Sequence, residues 1–344
     1  MKRMKTTEAV GQVLCHDITQ IIPGVTKDAV FSKGHIIREE DIPVLLSVGK
    51  DSVYIWENDE TMMHENDAAE VLYRMTANEH MHPSDVKEGK IEVIADTEGL
   101  LKVDREKLKK VNAFGEMMIA TRHGNTVVKK GDKLAGTRII PLVIKKDKMQ
   151  EAEKICDGTP ILKILPFTVK KAAIITTGNE VYHGRIKDAF TPVIEQKIAE
   201  FGAEMMFHEI FDDNDRKITD GCLRAIEAGA DIVFCTGGMS VDPDDKTPLA
   251  IKNTGAEMIS YGSPVLPGAM FLLSYYRKGD KVIPICGLPG CAMYNRRTIF
   301  DLVLPRLMAA DPVTADELAS LGEGGLCLNC KVCTFPNCGF GKGW

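Results

Sequence analysis

The sequence of 344 residues lacks the long apolar runs and the basic blocks that mark membrane proteins and nucleic-acid binders. No stretch approaches the roughly 20 uninterrupted apolar residues that a membrane span requires. The amino-terminal residues are basic but no apolar segment follows them, so we expect no signal peptide and a cytoplasmic location. Paired lysines are scattered along the chain instead of forming one positive face. We therefore expect neither a membrane nor a nucleic acid as a partner.

The composition is typical of a soluble globular protein. The 43 Lys and Arg residues against 49 Asp and Glu residues give a formal charge of −6. Charged residues make up 27% of the chain and apolar residues 44%, which is enough apolar material to bury a core and excludes disorder of the whole chain. Internal repeats and low-complexity runs are also missing, and the length suits two or three domains.

Changes in the residue pattern divide the chain into four regions. Short apolar runs alternate with turn residues at first, which predicts a β-rich segment at residues 1–60 and an α+β accessory region at 61–165. Strand patterns alternate with helix patterns over residues 166–310, which predicts an α/β domain whose mainly parallel sheet lies between two helical layers. A cysteine-rich tail follows at residues 311–344.

Three apolar runs of the third region predict parallel strands: Ala172–Thr176, Asp231–Cys235 and Val282–Cys286. Pro284 predicts an edge or irregular position for the last of them. Each run leads into a glycine-containing loop, and the third loop is expected to open a helix directly at Gly290. Ligands bind beyond the carboxyl ends of the strands in such sheets, so these loops are the candidate site.

The residue types of the three loops favour a phosphate-containing ligand. Glycines let backbone amides approach an anion, and hydroxyl side chains can donate to the same oxygens. The predicted ligand-binding residues of this kind are Thr177, Gly178, Asn179, Thr236, Gly237, Gly238, Ser240, Gly287, Pro289 and Gly290. Carboxylates that would repel a bare phosphate stand beside them, namely Glu180, Asp188, Asp213, Asp242 and Asp245. A Mg²⁺ ion would resolve the conflict, because it prefers hard oxygen ligands together with phosphate.

The order of these motifs resembles the molybdopterin-binding domain of molybdenum-cofactor biosynthesis proteins, such as the molybdopterin molybdotransferases and the gephyrin E domain. The segments that carry the resemblance are Thr176–Glu180, Thr236–Asp245, Leu266–Met270, Gly287–Tyr294 and Phe300–Ala309. The likeness is dense over residues 168–308 and patchier over 31–55. The same fold is found in a competence-damage-inducible family with nucleotide-related hydrolytic activity, so the domain alone does not fix the reaction.

The resemblance implies a ligand, a reaction and partners. The ligand is molybdopterin or its adenylylated form, and the reaction is molybdate insertion with cleavage of the adenylylated pterin, aided by Mg²⁺. Glu180, Asp213 and Asp245 match the family's acidic positions and are the predicted catalytic residues. Residues matching the family's contacts to the pterin phosphate, adenylyl group or metal include Asp188, Thr236, Gly237, Gly238 and Ser240. The relatives further imply a homodimer that serves a molybdoenzyme or other cofactor-assembly proteins.

Three departures from the family pattern leave alternatives open. Asn179 replaces an aspartate, Asp242 replaces a glycine, and Ala189 and Phe190 replace two polar residues that follow Asp188. The last two changes bear on turnover more than on binding. A non-catalytic molybdopterin carrier or a redox-responsive regulator is therefore the alternative to an enzyme, and a nucleotide hydrolase that shares the fold is a third reading.

The tail carries a second functional signal. Cys327, Cys330, Cys333 and Cys338 have gaps of two, two and four residues, a spacing similar to the bacterial ferredoxin run. A [4Fe–4S] cluster is the first choice for this tail, Zn²⁺ the second and an unliganded reactive tail the third. The flanks are short and rich in glycine, so we expect a metal to be needed to order them. The six other cysteines are dispersed and are expected to be small buried residues, since the cytoplasm disfavours disulfides.

Overall fold

The computed structural model describes residues 1–22, 26–55 and 59–343. The strands in chain order are β1 Lys2–Lys5, β2 Ile18–Ile22, β3 Thr26–Phe31, β4 Ser52–Ile55, β5 Met62–His64, β6 Met81–Pro83, β7 Lys90–Ala95, β8 Gly99–Val103, β9 Met117–Thr121, β10 Thr126–Val128, β11 Lys133–Ile139, β12 Val143–Lys145, β13 Leu162–Leu165, β14 Lys171–Thr177, β15 Glu204–Phe211, β16 Ile232–Thr236, β17 Glu257–Tyr261, β18 Leu272–Lys278 and β19 Lys281–Leu288. The α-helices are α1 Ile42–Ser47, α2 Glu65–Thr76, α3 Arg105–Asn112, α4 Lys146–Cys156, α5 Asn179–Tyr182, α6 Phe190–Ala199, α7 Asp215–Glu227, α8 Thr247–Asn253, α9 Ile299–Met308 and α10 Ala315–Ser320. None of the helices within these ranges is long and apolar enough to cross a membrane.

The chain folds into two compact units. The first comprises residues 1–97, 102–122 and 129–164, and the second comprises 98–101, 123–128 and 165–344. The predicted α/β region and the cysteine-rich tail thus fall in one unit. The finer division into four regions remains a prediction.

The first unit is rich in β-structure. Its largest sheet is antiparallel, with the strand order β6-β7-β11-β9, and α2 packs against β7 and β11. The buried face of α2 carries Ala68, Leu72 and Met75 at helical spacing. Smaller antiparallel pairs join β1 to β4, β2 to β3 and β5 to β12. This arrangement agrees with the β-rich α+β character expected before the α/β domain.

The second unit contains a six-stranded sheet with the order β15-β14-β16-β19-β18-β17. The first four strands are parallel, and β18 and β17 are antiparallel additions. The expected mainly parallel sheet is thereby confirmed. The edge position inferred from Pro284 is wrong, because β19 lies between β16 and β18. Pairing of β19 with β16 begins only at Ile285, one residue after Pro284, so the missing N–H is not needed on that side.

Side chains of the parallel strands alternate between two cores, which places helices on both faces of the sheet. One core joins Ile174 and Phe234 to residues of α6 and α9. The other joins Ile175 and Val233 to residues of α7 and α8. The three-layer α/β architecture predicted for this region is confirmed.

One local expectation near the end of the sheet is wrong, namely that Gly290 opens a helix. Gly290 opens only a short 3₁₀ turn over Gly290–Met293, and the following α-helix begins at Ile299. Its start is set by Thr298, whose hydroxyl accepts from the Phe300 N–H, while Asp301 accepts from the Thr298 N–H at 2.8 Å. A helix terminus is therefore not available at the loop after β19.

The tail is held by the second unit through apolar packing and backbone hydrogen bonds. Phe340 is 5% exposed and belongs to the core that contains α9. The Cys327 N–H donates to the Leu266 carbonyl at 2.8 Å, and the Leu266 N–H donates to the Gly325 carbonyl at 2.8 Å. The expectation that only a metal could order these flanks is wrong, because residues distant in sequence supply the partners.

Candidate functional site

The three predicted loops begin side by side at one edge of the sheet. Thr176 of β14 is in register with Thr236 of β16, and Thr236 is in register with Leu288 of β19. Because all three strands are parallel, their carboxyl ends meet at this edge, which is the usual ligand edge of an open α/β sheet. The loops that follow Thr177, Thr236 and Leu288 are therefore neighbours, as the sequence predicts.

The Thr177 hydroxyl links two of these loops by hydrogen bonds. Its hydroxyl is 2% exposed and donates to the Thr236 carbonyl at 3.1 Å. The Thr247 hydroxyl at the start of α8 lies 3.0 Å from Thr177 Oγ1 and donates to it, because the Thr177 proton is already used in the bond to Thr236. The Thr177 hydroxyl is thus committed to the protein itself, so it positions the loops instead of being free to bind a phosphate.

The glycines of the loop after β16 are required by close backbone approach. Gly237 has φ +82°, and a Cβ there would lie 2.1 Å from the Thr177 carbonyl oxygen. Gly238 has φ +56°, and a Cβ there would lie 2.9 Å from the Thr247 hydroxyl. A side chain at either position would meet both backbone strain and a clash. These glycines shape the loop whatever ligand it binds.

Thr236 differs from its neighbour Thr177 in having an unused hydroxyl. Its side chain is completely buried, and its Oγ1 has no hydrogen-bond partner among the residues that the structure describes. An unsatisfied buried hydroxyl carries a free-energy cost of about 1–3 kcal/mol. Such a group at the end of the central strand is suited to a polar ligand atom, and it lies where the sequence predicts phosphate binding.

Asp188 caps α6. Its Oδ1 accepts from the Phe190 N–H at 2.8 Å and the Thr191 N–H at 3.1 Å, and its Oδ2 accepts from the hydroxyls of Thr176 at 2.8 Å and Thr191 at 2.6 Å. Burial alone would raise the pKa of Asp188, but these hydrogen bonds outweigh it and lower the pKa of the carboxyl. Both oxygens of this carboxylate, which the sequence predicts to bind a ligand, already accept hydrogen bonds from the protein itself.

His208 is a neighbour of this cap that sequence reasoning missed. Its Nε2 lies 3.2 Å from the hydroxyls of Thr176 and Thr191 and 3.5 Å from Asp188 Oδ2. His208 occupies an interior position of β15, an edge strand, where a single histidine carries no motif. Only the register of β15 against β14, which pairs His208 with Ile174, reveals the contact.

Two of the predicted acidic residues, Glu180 and Asp245, lie near enough to Asp213 for their charges to act on it. Its Oδ2 accepts from the Asn179 N–H at 3.1 Å. Burial raises the pKa of Asp213, and the negative charges of Glu180, Asp244 and Asp245 raise it further, against the hydrogen bond from Asn179. Asp244 is an addition to the predicted set.

This group has the chemistry that suits Mg²⁺. A cation bound between these carboxylates would reduce their mutual repulsion and favour their charged forms. Asp212, beside Asp213, has one oxygen 2.8 Å from Lys217 Nζ and the other buried without a hydrogen-bond partner in the described residues. Across residues 1–22, 26–55 and 59–343, the structure holds no ready-made cluster of three or more His, Cys, Asp or Glu at metal-binding geometry.

Asp245 and Asp242 fix the loop after β16 by reciprocal bonds. The Asp242 N–H donates to Asp245 Oδ2 at 2.9 Å, and the Asp245 N–H donates to the Asp242 carbonyl at 3.0 Å. The Tyr261 hydroxyl donates to the Met239 carbonyl at 3.2 Å. Ser240 and Asp242 are exposed, so the outer part of this loop is accessible from solvent.

The remaining predicted residues divide between packing and open positions. Gly287 leaves no room for a side chain, because a Cβ would lie 2.5 Å from Met239 Sδ. Pro289 is buried at the end of β19, whereas Gly290 is exposed and would carry a Cβ without any contact within 4 Å. Gly178 has φ +133°, and a Cβ there would meet the Glu180 carboxylate at 2.9 Å. Of these glycines, Gly290 alone is unconstrained by its neighbours.

The four tail cysteines line one cavity of about 560 Å³. Cys327 and Cys338 are half-buried, whereas Cys330 and Cys333 are exposed. The other wall of the cavity is residues 294–297, which precede α9. The cysteines thus share a cavity but do not converge on one point.

The family models confirm the resemblance drawn from the motifs. Residues 173–309 match the family described as "Probable molybdopterin binding domain", and residues 3–57 match a domain of unknown function, DUF8806. Residues 173–309 are therefore similar to this family, which confirms the resemblance for that part of the chain. This match ends before the cysteine-rich tail.

Curated relatives and solved structures match part of the chain. A competence-damage inducible protein of Bacillus cereus (strain B4264) is 30% identical over 129 residues, which are 38% of this chain and 30% of that protein. Its counterpart from Bacillus subtilis (strain 168) is 32% identical over 85 residues, 25% of this chain and 20% of that protein. The chain thus spans less than a third of these relatives' length. The tungsten cofactor synthesizing protein MoaB of Pyrococcus furiosus is 20% identical with a TM-score of 0.33, covering 41% of this chain and 89% of that one.

Proposed function

We propose that this protein binds molybdopterin or its adenylylated form at the carboxyl edge of the sheet and inserts molybdate with release of AMP. The observation that carries the proposal is the meeting of the loops after Thr177, Thr236 and Leu288 at the carboxyl edge of the sheet, within the segment that matches the molybdopterin-binding family. The Thr236 hydroxyl at this edge has no hydrogen-bond partner among the described residues, and a ligand oxygen would satisfy it once the loop after β16 opens enough to expose it.

The chain's own residues would share the work as follows. Thr236 donates to the ligand phosphate, and the fixed loop over Gly237 and Gly238 limits how the phosphate can sit. The carboxylates of Glu180, Asp213 and Asp245 would hold Mg²⁺, which supplies charge neutralisation for breaking the phosphoanhydride bond to AMP. Ser240 and Asp242 stay accessible for incoming molybdate. A homodimer and delivery to a molybdoenzyme or assembly partner belong to the same proposal.

The test is AMP release by the full chain from adenylylated molybdopterin with Mg²⁺ and molybdate. Molybdate-dependent release is the expected result. Asp245→Ala should abolish release while weakening pterin binding less, because the side chain is expected to act on the bond being broken. Asp280→Ala is the matched control, since Asp280 is exposed in the turn between β18 and β19, at the amino end of β19. Equal loss of activity in both variants would contradict the assignment.

A non-catalytic carrier is the second candidate, and the cap on α6 favours it. The family's polar residues after Asp188 are replaced by Ala189 and Phe190, and Phe190 packs against the core while Asp188 is occupied by Thr176 and Thr191. A carrier binds the pterin tightly without releasing AMP. It would then use the tail, with a [4Fe–4S] cluster or Zn²⁺, for docking or redox sensing.

A nucleotide hydrolase is the third candidate, because the competence-damage-inducible family that shares the fold has nucleotide-related hydrolytic activity. Two curated relatives carry that family's name, although this chain matches only part of their length. A hydrolase would release its product from a nucleotide with no pterin and no molybdate. The same assay, run with a dinucleotide in place of the pterin, separates this candidate from the first two.

A further inference from the structure

The tail cavity combines four thiols with positive charge. All four tail cysteines line it, and Arg296, Arg297 and Lys331 line it with them. The Arg296 guanidinium donates to the Lys331 carbonyl at 3.2 Å, which ties the two walls together. The cavity therefore places three positively charged side chains beside the four thiols.

The charge of the cavity matches a metal centre with four thiolate ligands. One Zn²⁺ with four thiolates carries a net charge of −2, and so does an oxidised [4Fe–4S] cluster with four thiolates. The cations on the cavity wall would offset this charge.

Arg297 is the residue that connects this cavity to the folded domain. Its side chain lines the cavity together with Cys333, and its guanidinium lies 4.8 Å from the centre of the Phe335 ring. The same group donates to Asp301 Oδ1 at 2.8 Å. The Asp301 side chain is only 4% exposed and also pairs with Lys197 of α6. Arg297 is therefore held by a buried carboxylate while it faces the tail.

We infer that the four tail cysteines bind one thiolate-ligated metal centre, either a [4Fe–4S] cluster or Zn²⁺, and that Arg297 is a positioning residue for the Cys333 ligand. Cys330 and Cys333 are exposed and are the two that must move inward, whereas Cys327 and Cys338 already pack against the core. This centre goes beyond the function proposed above and can hold if that function fails.

The first experiment measures metal and acid-labile sulfide in the full chain, purified without oxygen. Four irons with four sulfides per chain identify the cluster, and one zinc per chain identifies the zinc form; either result supports the site. The double variant Cys330→Ser/Cys333→Ser should lose the metal. Both side chains are exposed, so their replacement leaves the core intact and circular dichroism should be unchanged.

The matched control is Cys291→Ser. Cys291 is half-buried in the Gly290–Met293 turn but does not line the cavity, so this variant should keep its metal. Absence of stoichiometric metal in the wild-type chain overturns the inference. Retention of metal by the double variant overturns it as well. Pterin binding and AMP release are separate readouts, so failure of the proposed function is distinguishable from failure of this site.

The second experiment tests Arg297 through Arg297→Gln. If the centre is a cluster, its reduction potential should become more negative at unchanged iron content, because a positive hydrogen-bond donor to a ligand sulfur is lost. If the centre is zinc, transfer to a chelator should accelerate about 10-fold or more. Lys197→Met is the control, because it removes another partner of Asp301 without touching the tail. An unchanged potential or exchange rate in Arg297→Gln overturns the positioning role.

Discussion

Asp188 and Asp213 stand near the ends of adjacent strands and were predicted for the same site, yet the protein treats them in opposite ways. Asp188 accepts four hydrogen bonds from its own chain, and its pKa is lowered. Asp213 accepts one backbone hydrogen bond among like charges, and its pKa is raised. A carboxylate with satisfied oxygens contributes to the fold, whereas one that is repelled by its neighbours is available for a cation. By this difference, the oxygens of Asp188 are used by the fold, whereas Asp213 is the better candidate for binding a cation.

The largest effect is expected for Asp188→Ala. Loss of the four accepted hydrogen bonds should lower the free energy of unfolding by about 2–3 kcal/mol at pH 7. The folded-state pKa lies below the unfolded value of about 3.9, so the stabilisation is present above that pH and is lost as pH falls through the folded pKa. Urea unfolding at pH 7 and under acidic conditions measures this. If Asp188→Ala is as stable as Asp280→Ala at pH 7, the structural assignment is wrong.

Addition of Mg²⁺ should give the next largest effect. At a free concentration tenfold above the dissociation constant, binding to the folded state stabilises by about 1.4 kcal/mol. Thermal unfolding should show this gain in the wild-type chain and in Asp280→Asn, and a smaller gain in Asp213→Asn. A gain that is the same in all three proteins would show that the ion binds elsewhere.

The smallest effect is expected for Asp213→Asn without Mg²⁺. Asparagine keeps an acceptor for the Asn179 N–H and removes the repelled charge, so stability at pH 7 should rise by less than about 1 kcal/mol, since solvent screens this group. The folded-state pKa is raised, so the variant's advantage appears as pH rises above the unfolded value of about 3.9 and vanishes below it. Equilibrium unfolding against pH checks the sign, and a loss of stability at pH 7 would contradict the repulsion.

The sequence predicts the architecture of the α/β domain well because its signals are local. The apolar runs at β14, β16 and β19 and the loops that follow them could be read directly, and they do meet at one edge. The resemblance of the motifs is confirmed by the family match over residues 173–309. The site roles assigned from those motifs remain predictions.

Other features depend on partners that are distant along the chain. Asp188 looks like a ligand-binding residue until Thr176 is brought beside it, and His208 has no motif at all. Pro284 suggests an edge strand. An interior strand can contain this proline because pairing of β19 with β16 begins only at Ile285, after the missing N–H. The glycines of the tail suggest that it is disordered without a metal. In the structure, however, Phe340 packs into the hydrophobic core that contains α9. Tertiary contacts of this kind have no signature in local composition.

The cap at Asp188 also bears on the entropy of ligand binding. The Asp188 carboxylate links Thr176, near the end of β14, to Thr191 in the first turn of α6. Residues 178–187, which include α5, form a connection whose two ends are thereby held together by the protein. A ligand that orders this loop therefore does not have to supply the closure entropy as well, and more of its contact energy is expressed as affinity.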